Sequence, residues 1–195
     1  MGRDRRLFVA TGVPMPPAVR QALKSMSSEI AAVMPQARLV PPEKQHVTLA
    51  FLGDAGGARS DRLCAALDTA ASRCAAFAVT TSSVGGFPST ERARVVWVGF
   101  DDPSGGGETV ASAIRDALAE ALDPEIIARL GGRPLRMHCT LARLDRPRAL
   151  PVQVLGRLVG PVELLVSGFG LFSSESITGR AARYRCVRTF SLTDR

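Results

Sequence analysis

Short apolar blocks bounded by glycine and proline run along most of this chain, and their periods mark out its elements. "RLFVATGVP", Arg6 to Pro14, reads as a strand ended by proline. From Pro16 to Val33 the period lengthens to that of a helix, with Val19, Leu23, Met26 and Ile30 on one face behind a Pro16-Pro17 start. Pro41-Pro42 breaks the chain ahead of a second strand, "HVTLAFLG", His46 to Gly53. Ser60 to Cys74 predicts an amphipathic helix with a serine N-cap. "FAVTTSSVGGF" reads as a strand, and "RVVWVGF", Arg94 to Phe100, as a buried one because its β-branched and aromatic run is unbroken. "DDPSGGG" is a loop leading into a helix from about Glu108 to Leu122. A Gly131-Gly132 turn then precedes a strand in "RMHCTLARL". After the proline-rich stretch Pro147 to Pro151, "VELLVSGFGLFSSE" and "RYRCVRTFSL" read as two closing strands.

Two stretches of this pattern match. A strand at Arg6, a helix, a breaker and a strand opening at His46 are followed by a strand at Arg94, a helix, a breaker and a strand opening at His138. The expected architecture is therefore α+β: a single bilobal domain over residues 1–195, built from duplicated strand-helix-strand halves at roughly 6–75 and 94–144, with the remaining strands completing the sheets. Two such lobes facing each other place both histidine strands across a shared central cleft.

Composition narrows the function. With 195 residues, 46% apolar and 22% charged, the chain can bury a core and is not disordered as a whole. No apolar run approaches the roughly 20 residues of a membrane span. The start "MGRDRRLFVATGVPMPP" imitates a signal peptide, but the apolar stretch is short and lacks an A-x-A site. Arg6 also stands where myristoylation needs Ser or Thr, so the expected location is cytoplasmic. Cys64, Cys74, Cys139 and Cys186 form no C-x-x-C pair, which suits reduced, mostly buried thiols. The net charge is +7, and all but two of the 25 basic residues are arginine, whose planar fork matches phosphate oxygens. Six arginines against one acid, Asp145, lie between Arg129 and Arg148, around the second histidine strand. Four more lie between Arg180 and Arg188 with no acid.

The chain owns two histidines, and both open the tetrad His-x-Thr-Leu. In a strand His46 and Thr48 share a face, as do His138 and Thr140, with Cα atoms roughly 6.6 Å apart. Cys139 then faces the core and serves packing, not nucleophilic catalysis. An imidazole with a pKa near ~6.5 can take or give a proton near neutrality. Two of them on opposite sides of one phosphorus can deprotonate an attacking oxygen and protonate a departing one in a single displacement. The threonine hydroxyls and nearby arginine can hold the non-bridging oxygens, and no metal is required. A zinc site is the weaker alternative, since two histidines without a neighbouring acid fall short of its usual ligand set.

Together "RLFVATGVP", "HVTLAFLG", "RARVVWVGF", "HCTLARL" and "LFSSE…RYRC" resemble the two-histidine (2H) phosphoesterases. Within them the chain is most similar to the bacterial and archaeal RNA 2′,3′-cyclic phosphodiesterases, the LigT-like proteins once described as 2′–5′ RNA ligases. The resemblance implies two antiparallel-rich sheets lining the cleft, RNA with 2′,3′-cyclic phosphate ends (tRNA fragments among them) as partner, and no cofactor; a monomer is the default expectation. It implies hydrolysis to a 2′-phosphomonoester, with 2′–5′ ligation as the same step reversed. It makes His46 the proton donor, His138 the proton acceptor, Thr48, Thr140 and Arg143 the phosphate ligands, and Phe51 a contact for the terminal base. Strict alternation puts neither Phe51 nor Arg143 on its histidine's face, so both roles need a twist or bulge. Alternatives are an RNA-binding module without turnover, or a 2H enzyme acting on 2′–5′ linked oligonucleotides or small cyclic nucleotides.

Overall fold

The computed structural model describes residues 5–53, 60–122, 124, 127, 134–155, 160–175 and 182–194. The turn expected at Gly131-Gly132 lies outside them. Among the described residues nine strands form one sheet: β1 (Arg5–Thr11), β2 (Arg38–Leu39), β3 (Val47–Gly53), β4 (Phe77–Phe87), β5 (Ala93–Asp101), β6 (His138–Arg148), β7 (Glu163–Val166), β8 (Gly168–Glu175) and β9 (Arg183–Ser191). Their order is β7-β4-β5-β6-β3-β1-β8-β9, with β2 beside β6, and every pairing between named strands is antiparallel. The two expected sheets are thus two lobes, β7-β4-β5-β6 and β3-β1-β8-β9. They fuse through one residue pair, Val47↔Cys139.

Among the described residues three long helices cover one face: α1 (Pro17–Val33), α2 (Ser60–Ser72) and α3 (Gly106–Ala119). The predicted face of α1 is the buried one, with Val19 and Leu23 at 0% exposure. Helices α2 and α3 pack on each other, while α1 reaches β6 and α3 reaches β3. Helices α1 and α3 therefore each support the histidine strand of the other half, so a single core, with Val47, Cys139 and Leu141 fully buried, underlies both.

Several boundaries differ from the sequence reading, each for a local reason. Helix α3 begins at Gly106, ahead of Glu108, because the Asp102 carboxylate accepts the N–H groups of Gly106 (3.2 Å) and Gly107 (2.7 Å). Ser60 is the first residue of α2. Pro147 does not stop β6, which runs on to Arg148 opposite Ala93. Residues Pro42–Lys44 make a 3-10 turn where only a break was expected. "VELLVSGFGLFSSE" is two strands parted at Ser167: β7 pairs with β4, and β8 with β1. One residue thus links strands six places apart in the order, which requires the sheet to curl strongly.

Candidate active site

The Val47↔Cys139 pair decides where the histidines go. Both residues are fully buried under the sheet, so their neighbours His46, Thr48, His138 and Thr140 turn to the opposite, concave face. The antiparallel sense of the pair runs Thr48 toward His138 and His46 toward Thr140.

Downstream of each tetrad the alternation breaks at the same place. In β3 the register passes from Ala10↔Thr48 to Val9↔Ala50, so Leu49 is an extra residue. In β6 it passes from Trp97↔Thr140 to Val96↔Ala142, so Leu141 is extra. These bulges return Phe51 and Arg143, each five residues past its histidine, to the concave face. His46 to Leu52 and His138 to Leu144 consequently share one burial sequence: half-buried, buried, half-buried, buried, buried, exposed, buried. Phe51, 55% exposed, is not a core residue.

A cleft of about 700 Å³ unites all six predicted positions, His46, Thr48, Phe51, His138, Thr140 and Arg143. Arg6, Arg38 and Lys44 also line it, and no acid does among the described residues. Arg38 is paired with Asp145 at 2.6 Å. Among the described residues no group of three or more His, Cys, Asp and Glu is arranged to hold a metal ion.

Each imidazole is tethered alike. The Nδ1 of His46 lies 2.7 Å from the carbonyl of Lys44, and that of His138 lies 2.7 Å from the carbonyl of Arg136. A carbonyl only accepts, so Nδ1 carries the proton in both rings and Nε2 is left for chemistry. Burial pushes the His46 pKa below its ordinary value, against the hydrogen bond to Lys44, and the positive charges of His138 and Arg143 act in the same direction as burial. Burial also lowers His138, against its bond to Arg136, with the Arg136 charge adding to the fall. The Cys139 thiol, 0% exposed, is pushed up to about 12 by burial, which suits packing and not nucleophilic work.

Aromatic rings flank both histidines. Phe8 and Tyr184 approach His46 with centroids at 5.0 and 5.6 Å, and Phe87 and Trp97 approach His138 at 5.0 and 6.0 Å. The Arg136 guanidinium lies over the Trp97 ring at 5.4 Å. Glu108 accepts the Leu135 N–H at 2.6 Å and pairs with Arg115 at 2.6 Å, fixing the approach to His138. The sequence reading missed these wall residues. Strict alternation in "RLFVAT" already puts Arg6, Phe8 and Ala10 on one face, which was the available signal for β1. Nothing local pointed to Tyr184, whose place depends on long-range pairing.

The family described as LigT like Phosphoesterase matches residues 13–97. A Thermus thermophilus protein named RNA 2′,3′-cyclic phosphodiesterase is 31% identical over 189 residues, 96% of this chain and 90% of that relative. A Geobacillus stearothermophilus protein of the same name is 29% identical over 136 residues; the match spans 70% of this chain and 41% of that relative's length. Among solved structures, one from Thermus thermophilus superposes with a TM-score of 0.77 at 29% identity, covering 97% of this chain and 98% of that one. E. coli LigT complexed with 3′-AMP superposes with a TM-score of 0.69 at 25% identity, covering 99% and 100%.

Proposed function

Because this chain belongs to the LigT-like phosphoesterases, we propose that it opens the 2′,3′-cyclic phosphate at RNA ends, leaving a 2′-phosphomonoester. His138, neutral and with Nε2 unprotonated, takes a proton from water as the oxygen attacks phosphorus. The bond from phosphorus to O3′ breaks, and His46, protonated at Nε2, gives that oxygen its proton. Thr48, Thr140 and Arg143 hold the non-bridging oxygens, where negative charge grows in the transition state. Phe51 offers a stacking face for the terminal base. After one turnover His46 is neutral and His138 charged, and exchange with solvent resets the pair.

The observation that carries this reading is the matched tethering of two imidazoles through Nδ1 on one face of one cleft that no acid lines among the described residues. The halves at roughly 6–75 and 94–144 are, in this reading, copies of one unit whose repetition supplies the acid and the base. Water at about 55 M outcompetes scarce RNA hydroxyls, so hydrolysis outweighs 2′–5′ ligation by mass action (compare effective molarities). No described helix is long and apolar enough to cross a membrane, in keeping with work on RNA in the cytoplasm.

The test is an assay of an oligonucleotide ending in a 2′,3′-cyclic phosphate, with EDTA present. The expected product ends in a 2′-phosphate and forms at the same rate without chelator. A 3′-phosphate product means that the bond to O2′ breaks instead and reverses the assignment of the leaving oxygen, salt-sensitive RNA binding without product points to a binding module, and loss of activity in EDTA sinks the two-histidine mechanism.

A further inference from the structure

A second cavity of about 180 Å³ lies behind His46 and shares four walls with the main cleft: Phe8, Lys44, His46 and Tyr184. The two flanks of the cleft differ. On the second lobe its lining comes from β6, with His138, Thr140 and Arg143, and from the short β2 segment beside it, and it reaches no described residue of β5, β4 or β7, where Phe87 and Trp97 close edge-on against the imidazole. On the first lobe the lining continues past β3 across β1, β8 and β9, through Arg6, Phe8, Ser174 and Tyr184, and then into the smaller cavity. In an in-line opening, water needs little room on the side of the base. The ribose and the RNA behind it occupy the side of the acid.

We propose that the smaller cavity binds the base of the nucleotide preceding the cyclic-phosphate end, so that the preferred substrate is a single-stranded RNA end at least two nucleotides long. This rests on the reading of the main cleft as the cyclic-phosphate site with His46 as the acid. The walls are aromatic: Tyr184, only half-buried, stands edge-on to Phe8 at 5.2 Å, and Phe8 and Phe172 stack behind it at 5.5 Å as a buried apolar floor. The volume admits one heteroaromatic ring system and no base pair, which selects splayed single strands. Lys44, its ammonium 6.0 Å above the Tyr184 ring, stands at the partition where the linking phosphodiester passes. Glu43 supplies an acceptor for a base N–H.

Cys186, the exposed one of four free cysteines, also lines this cavity and gives a handle for the test. The kcat/KM of a trinucleotide ending in a cyclic phosphate is compared with that of the mononucleoside 2′,3′-cyclic phosphate of the same terminal base. About a tenfold preference for the trinucleotide is expected, the size of one stacked base, falling to near parity in Cys186→Leu, whose bulk fills the cavity. Independently, a trinucleotide 2′-phosphate should slow N-ethylmaleimide labelling of Cys186 at least about fivefold where the mononucleotide does not, if one stacked base covers the thiol. Equal kcat/KM for both substrates with unprotected Cys186 overturns the subsite and leaves the proposed reaction standing. Turnover of neither substrate overturns the reaction instead, and protection of Cys186 then still decides for or against an RNA site.

Discussion

Val47 and Cys139 are register partners at the seam between β3 and β6, and burying this one pair forces the neighbouring His46 and His138 onto a common face. The seam, not the tetrads alone, brings the two imidazoles into one cleft. Cys139 has no chemical part in it. Cys139→Ala is therefore expected to keep kcat within about threefold while losing about 1 kcal/mol of stability for the small void. Denaturant melts beside steady-state kinetics check both, and inactivation of Cys139→Ala without unfolding would return the thiol to the mechanism.

In the proposed mechanism, removing either imidazole abolishes a proton transfer that general catalysis typically values at roughly 10²–10⁴-fold. His46→Ala and His138→Ala should each lower kcat by that order. The double variant should be little worse than the slower single one, because the two act in one concerted step. A leaving group that needs no proton separates the roles: it should restore much of the rate in His46→Ala and none in His138→Ala.

The pH dependence follows from both histidines lying below the ordinary value near ~6.5. In the proposed mechanism the base must be neutral, so activity falls as pH drops through the His138 pKa. The acid must be protonated, so activity falls as pH rises through that of His46. In the free enzyme both limbs of the kcat/KM profile then lie on the acid side of ~6.5, and activity declines above it. Arg143 is one of the charges that lower His46. Arg143→Gln should move the alkaline limb upward while leaving the acid limb in place, alongside a higher KM. Movement of the acid limb instead exchanges the roles of the two rings.

The same shifts act on stability. A histidine whose folded pKa is depressed leaves the unfolded chain binding more protons as pH drops below ~6.5, so stability is lost from there down to the folded pKa and levels off beneath it. Urea midpoints between pH 8 and 5 should show that slope, and His46→Gln should flatten its share. An unchanged slope in the variant means that His46 is not desolvated in the folded state.

How far the sequence carried depended on the range of the interactions. The tetrads were readable because strand alternation is local, and His46, Thr48, His138 and Thr140 follow from it. Phe51 and Arg143 needed the bulges at Leu49 and Leu141, which arise only when β1 and β5 pair alongside. The split at Ser167 escaped a reading by periodicity, because an apolar run looks the same whether one lobe or two receive it. Tyr184 and Trp97 reach their histidines through strands far away in the chain, so no spacing announces them. The Asp102 cap, by contrast, was available: an acid four residues before Gly106 is a local signal that marks where α3 begins.

Trp97 offers the most direct test of how the second histidine is held. It lies across Gly85 on the paired strand β4, 7% exposed, with its ring against the position a Cβ at residue 85 would occupy. The neighbouring atom is a rigid indole wedged between Phe87 and His138, so it cannot swing away as a flexible side chain would. Gly85→Ala should therefore cost about 1–3 kcal/mol by overpacking and push the indole toward His138. The displaced imidazole loses its alignment with water more than its hold on substrate, so kcat should fall about tenfold or more, as small misplacements do, with KM little changed. Gly53→Ala is a control for backbone effects: its left-handed φ of 65° strains any side chain, but nothing lies within 4 Å of the added carbon. It should cost stability without the loss in kcat. Equal kcat losses in the two variants would mean that the indole is not what holds His138.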